Sequence, residues 1–362
     1  MSFRDILLHE KPCAVLFLST TAFAHRAFNR YCMQLGIPTV HLYHGLVRVQ
    51  PVELDSSKVY KVNPWRQASL VVSRFGKQVR RIWPTYAKAL WHTGASARDW
   101  FRFLSDVFAQ GMGRSYWGIA APDSSTTACC VYTEADIPHA VHRYRIPRDR
   151  VFAVGNPDLI RFGLQQEDIG ICLSFNQVRD EIVYIDTALI EAGAVFHNAE
   201  DFVQHLHDTA EVLKHQGFRL VVKLHPAHFR TGVPDQLKKL GIELCSNDEF
   251  ITRLKTSRAA IVEPSSAALI PALLGLPVLL AQYGKLKGQQ YGEVLTSYPR
   301  ARYLRALNDL PALLGDIKQN SSVDDTLGWI KVNAGPLPAE DMPKRVADVV
   351  AVLASQGRPL PR

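Results

Sequence analysis

Short, continuous apolar runs recur along the chain, each ending abruptly in small or polar residues and each followed by a stretch with helical spacing. Residues 14–18 (AVLFL) form the first run, Ser19, Thr20 and Thr21 end it, and a helical stretch reaches Leu35. Gly36, Ile37 and Pro38 close that helix, and residues 39–43 (TVHLY) read as the next strand. This is one βαβ unit. Its second strand stops at His44 and Gly45, at the carboxyl end where doubly wound sheets place ligands.

Residues 57–117 carry few strand signals and many aromatic and basic side chains, among them Arg74, Lys77, Arg80, Arg81, Lys88, Trp91, Arg98, Trp100, Phe101 and Arg102, and are predicted to be a helical insertion. Two roles suit such a stretch: tryptophans packed into the first core, or an interfacial surface of rings and cations. The strand pattern returns at 128–132, leads into Thr133, Glu134, Ala135 and Asp136, and recurs at 151–154, stopping at Gly155, Asn156, Pro157 and Asp158.

Residues 168–175 are expected to start a second sheet, with Asp180, Glu181 and Asp186 in the loop after its first strand. Helices at 201–217, 234–240 and 248–256 then alternate with strands at 219–224, 242–245, 259–262 and 278–280. That alternation predicts a parallel sheet covered on both faces. The expected organisation is a Rossmann-like α/β domain over 1–160, a second over 161–343, and a terminal helix in 344–362 crossing back to the first.

Length and composition agree with two globular cores: the chain has 362 residues, 47% hydrophobic and 21% charged. The formal charge of +8 favours phosphate-rich partners or an anionic membrane, though the basic residues are spread along the chain and form no nucleic-acid module. Six scattered cysteines, with no CxxC pair, read as reduced core residues, and no metal site is predicted. The amino-terminal residues lack a signal-peptide pattern, so a cytoplasmic location is expected. Residues 264–284 are free of charge, but Pro271, Gly275 and Pro277 divide them into a short helix, a turn and a strand rather than a membrane span.

The candidate chemistry gathers at two strand ends. Val221, Val222, Lys223 and Leu224 run into His225 and Pro226, where proline ends the strand's hydrogen-bond ladder and holds the preceding imidazole in a turn. Fixed there, His225 either donates to a phosphate or is a turn residue with no task. About forty residues on, the strand at 259–262 meets Glu263, Pro264, Ser265 and Ser266 at a helix start. Unpaired N–H groups and small hydroxyls suit a diphosphate or phosphodiester, and the same serines serve equally as helix caps. Glu263 is either an acceptor for ribose hydroxyls or an exposed loop acid. Arg179 and Lys285 are further candidate phosphate contacts.

The order of HLYHG (41–45), VGNPD (154–158), KLHP (223–226) and EPSSAALIPALLGLPVLL (263–280) resembles the GT-B glycosyltransferases. The His-Pro pair followed by a Ser-Ser pair is similar to bacterial transferases with CMP- or CDP-linked donors: sialyltransferases, polysialyltransferases, Kdo transferases and teichoic-acid glycerophosphotransferases. The resemblance implies two Rossmann-like domains facing each other across a cleft. It implies a nucleotide-sugar donor, CMP-linked and without a metal, held by Lys223, His225, Pro226, Glu263, Ser265 and Ser266. His44 with Gly45 matches a catalytic His-Gly pair of the glycerophosphotransferases. Leu46, Val47 and Arg48 stand where that family usually has small residues, proline and lysine, which puts a glycerol donor in doubt.

No acidic stretch ending in glycine matches the sialyltransferase base, so the carboxylate is sought among strand-end acids, with Asp158 and Glu134 foremost. The implied activity is transfer of a sialic acid or Kdo type of sugar to a glycan or lipid-linked glycan of capsule or lipopolysaccharide. The stretch at 74–103 would meet an anionic membrane at its inner face. Other readings are a CDP-glycerol-type glycerophosphotransferase, a UDP-GlcNAc 2-epimerase-like enzyme, whose Ser-Gly-Gly and acidic pair are missing here, and a non-catalytic nucleotide- or polysaccharide-binding assembly protein.

Overall fold

A computed structural model describes residues 2–43, 78–111, 122–174, 180–187 and 195–356. Among the described residues ten strands form two sheets in which every pairing is parallel. β1 (Val15–Phe17), β2 (Thr39–Leu42), β3 (Ala128–Val131) and β4 (Val151–Ala153) make a four-stranded sheet in sequence order. β5 (Glu181–Ile185), β6 (Arg219–Lys223), β7 (Glu243–Leu244), β8 (Ala259–Val262), β9 (Val278–Ala281) and β10 (Ala301–Leu304) make a six-stranded sheet of order β10-β9-β8-β5-β6-β7. This is the α/β, Rossmann-like class expected from the alternation. The chain leaves β5 towards β6 and β7 and returns on the other side at β8, so the topological switch point lies between β5 and β8.

The strands of the second sheet read as unbroken apolar runs because helices cover both faces. Ile182, Tyr184, Val222, Ala259, Ile261 and Leu279 enter one core, whereas Val183, Ile185, Val221, Ala260, Val262 and Leu280 enter the other. Each fully buried Val, Leu or Ile contributes about 1.5–3 kcal/mol. Pro271 is accommodated because it lies in the first turn of the short helix Leu269–Leu273, where no intrahelical partner is needed for its missing N–H.

Residues 168–174 do not start the second sheet, and residue 175 lies outside the described residues. Gly170 takes a positive φ of 74° and donates to Leu273 O, Cys172 donates to Leu274 O, and Ile171–Leu173 is a 3-10 turn packed on the core. Its apolar residues fill space instead of pairing. The sheet begins at β5, so Glu181 lies inside a strand and Asp186 directly ends it, while Asp180 precedes it. Cys32, Cys129, Cys130 and Cys245 are buried as expected, but Cys13 is exposed and Cys172 half-buried.

Two features join the parts. Helix Met342–Gln356 lies against the first sheet, with Met342, Val346 and Leu353 packed on Val40, Ala128, Cys130 and Val154. Arg345 donates to the carbonyls of Val154, Pro336 and Pro338, and Gly335 approaches so closely that a Cβ there would stand 2.7 Å from Tyr132 O. Leu159 and Phe162, just after β4, pack on the second sheet's core.

The helical layer on the first domain is held by buried charge. Arg26 donates from Nε to Asp123 (2.8 Å), from Nη1 to Asp106 (2.8 Å) and from Nη2 to Tyr86 (2.7 Å), tying helix Phe23–Leu35 to Trp83–His92, Ala97–Gly111 and the segment before β3. Trp83 and Trp100 turn inward beside Tyr86, Leu90 and Phe103. Trp91, Phe101 and Leu104 face outward at 78%, 75% and 61% exposure. The described part of the insertion, 78–111, thus has one face in the core and one in solvent, and 57–77 and 112–117 lie outside the described residues. Arg26→Met would leave Asp106 buried without its cation and Asp123 with only Arg30 at 3.5 Å, and denaturant titration should show a loss of about 3–5 kcal/mol.

Candidate functional site

The carboxyl ends of β6, β5 and β8 bring together most of the residues that the sequence marks for donor binding. Neighbouring strands lie about 4.8 Å apart, which sets the ends of β6 and β8 roughly 10 Å apart across β5. β6 ends at Lys223, Leu224 and His225 follow it, and Pro226 opens the 3-10 turn Pro226–Arg230. The exposed His225 caps this turn: its Nδ1 accepts from the Ala227 N–H (3.3 Å). An imidazole whose Nδ1 accepts carries its proton on Nε2.

Ser265 repeats the device at the end of β8. Its Oγ accepts from the Ala267 N–H (3.1 Å), leaving the hydroxyl proton to donate. Ser266 opens the 3-10 turn Ser266–Ala268, which runs into Leu269–Leu273, so the helix start is a tight turn rather than a long helix. Both His225 and Ser265 spend an acceptor on their own backbone and carry a donor. Donors suit anionic oxygens.

Beneath them lies a buried polar layer. Asp186 accepts the His225 backbone N–H (2.9 Å), and its Oδ2 stands 3.2 Å from His228 Nε2. Glu263 is fully buried and spans the switch point, accepting from Tyr184 Oη (2.6 Å) and from Thr187 N–H (3.0 Å) and Oγ1 (2.9 Å). It is therefore no exposed loop acid, and its oxygens are taken by Tyr184 and Thr187 instead of standing open to a ribose. Burial first, and then the charge of Asp186, push its pKa up to about 8. Tyr184 continues the layer to His205 Nε2 (3.4 Å), an imidazole that burial lowers to about 4 and that stacks on Tyr283.

Lys223 stands apart from the exposed donors. Its ammonium is buried 5.8 Å from the Phe162 ring centroid and 5.7 Å from that of Phe250, and burial lowers its pKa. Lys285 pairs with Asp201 at 2.7 Å. In the first domain, Glu134 is exposed in the turn after β3, while Asp136 is buried and caps that turn on Thr133. Asp158 is buried in the first turn of Pro157–Arg161, its N–H held by Asn156. His44, Gly45 and Arg179 lie outside the described residues. His228, Tyr184, Thr187 and His205 had no sequence signal beyond residue type. Asp186, expected from the sequence as a loop acid, directly follows β5 instead.

No protein-family model matches the chain, and no curated protein matches it. Solved structures similar to it include UDP-GlcNAc 2-epimerase from Neisseria meningitidis bound to UDP-GlcNAc (14% identity, 96% of this chain and 79% of that one, TM-score 0.46). An S. aureus MnaA co-structure with UDP is similar at 12% identity (99% and 79%, TM-score 0.47), and the wall teichoic acid polymerase TagF at 12% (88% and 69%, TM-score 0.43). The topology, not these likenesses, places the site.

Because folding raises its pKa, Glu263 stabilises the fold fully below 4.5 and less and less as pH rises towards about 8. In Glu263→Gln the amide oxygen can still accept from Thr187, and nothing ionises. Thermal melts of the two proteins across that window should show the wild type losing stability relative to the variant, and a pH-independent difference would contradict this.

Proposed function

We propose that the protein is a nucleotide-sugar-dependent glycosyltransferase that takes a sialic acid or Kdo type of sugar from a CMP-linked donor. The observation that carries this reading is the pair of strand-end residues, His225 and Ser265, each accepting from its own backbone turn and carrying a hydrogen-bond donor. Flanking the end of β5, beside the switch point, they suit the phosphate of a departing nucleotide. The His-Pro and Ser-Ser resemblance adds the cytidine preference.

Transfer through an oxocarbenium-like centre makes two demands. The leaving phosphate needs donors, which His225, Ser265 and the Ser266 turn would supply, and the acceptor hydroxyl needs a base. His44, Asp158 and Glu134 are the candidates for that base. In this reading Pro226 sets the His225 turn, Glu263 braces the nucleotide site from below, and Lys223 adds positive potential from beneath the sheet.

The acceptor is a surface glycan or its lipid-linked form, met at the inner face of an anionic membrane. The outward Trp91, Phe101 and Leu104, with exposed Arg80, Arg81, Lys88 and Arg98 around them, support that docking. Among the described residues no helix is long and apolar enough to cross a membrane.

Thermal shift with CMP, CDP, UDP and GDP tests the donor. CMP should stabilise the protein most, and His225→Ala should abolish that shift while costing the unliganded protein no more stability than the loss of one exposed cap, about 0.5–2 kcal/mol; stabilisation by UDP alone would sink the cytidine assignment. Flotation tests the membrane. Wild-type protein should float with phosphatidylglycerol vesicles at low salt and not with phosphatidylcholine vesicles, and Trp91→Ser with Phe101→Ser should remain at the bottom of the gradient.

A further inference from the structure

We propose that Asp186 and His228 are positioning residues that set the tautomer and orientation of the His225 imidazole; the role of that imidazole rests on the phosphate reading above. Asp186 ends the central strand β5 with its side chain wholly buried, where an unsatisfied carboxylate would be costly. A single oxygen, Oδ2, meets both ends of the His-Pro turn: the His225 N–H at 2.9 Å and His228 Nε2 at 3.2 Å. The second approach is a close polar contact whose geometry falls short of a hydrogen bond. His228 is held in turn by Phe202, on which its ring stacks with centroids 5.2 Å apart and planes 24° from parallel.

These contacts have a specific consequence three residues upstream of His228. With the turn fastened at 225 and at 228, the Ala227 N–H points at His225 Nδ1, and the proton is confined to Nε2. A loosened turn would free Nδ1 to exchange its role with Nε2. The buried carboxylate thus acts on a phosphate ligand through the imidazole, without touching it.

Long-range ¹H–¹⁵N correlation of the imidazole nitrogens, with the His225 signals identified by their loss in His225→Ala, reads this directly in the unliganded protein. The wild type should show the Nε2–H tautomer. Asp186→Ala should show a mixture and bind CMP about tenfold to a hundredfold more weakly, the range expected for losing a hydrogen bond to a charged group. Asp186→Asn, whose amide oxygen still accepts the His225 N–H, should restore much of both. His228→Phe keeps a ring on Phe202, removes the contact to Oδ2, and should shift the tautomer in the same direction, which decides the matter if Asp186→Ala does not fold. An unchanged tautomer and unchanged CMP affinity in Asp186→Ala, or an unchanged tautomer in His228→Phe, would overturn the proposal. If the wild type itself bound no CMP, the phosphate reading would fail, and the tautomer comparison would still decide the positioning role.

Discussion

Two carboxylates end adjacent parallel strands inside the protein, and burial obliges the surrounding chain to satisfy both. Asp186 terminates β5 and Glu263 terminates β8, the two strands that flank the switch point. Both side chains are buried at those ends, so the carboxylates are met by N–H groups and side chains of the neighbouring turns. Asp186 thereby fastens the His-Pro turn, and Glu263 fastens Thr187 to the other side of the crevice. The exposed His225 above them inherits its backbone position from this layer.

The first domain solves a different problem with the same physics. Its helical layer must be held firmly while one face stays outward, and Arg26 achieves the holding by joining three helices to Asp123 from inside. Breaking one partner of such a network costs far more than the net worth of the network, so the helices are tied to one another while Trp91 and Phe101 stay outward.

Several expectations met the structure unevenly, for identifiable reasons. The apolar runs at 39–43, 128–132, 219–224 and 259–262 coincide with strands because a doubly covered parallel strand needs no alternation to be recognised. Residues 168–174, also read as a strand start, form turns, since an apolar run cannot announce whether its backbone will find a strand to pair with. Glu181 to Ile185 was harder to see. Its charged start hides behind Arg219, Arg253 and Ser257, which supply partners from distant parts of the chain.

The sequence by itself determined which backbone would turn and where: Pro226 stops β6 and turns the chain at His225, and Pro264 with the serines does the same after β8. Those are local consequences of φ restriction and hydroxyl chemistry, so they are readable from neighbours in the chain. Only the tertiary structure decided what each ionisable group there is for. Lys223 went under two aromatic rings, Glu263 became a brace across the switch point, and His228 came to share an oxygen with the His225 backbone. The role of a charge is set by what surrounds it in space, and desolvation and partners arrive from strands and helices tens of residues away.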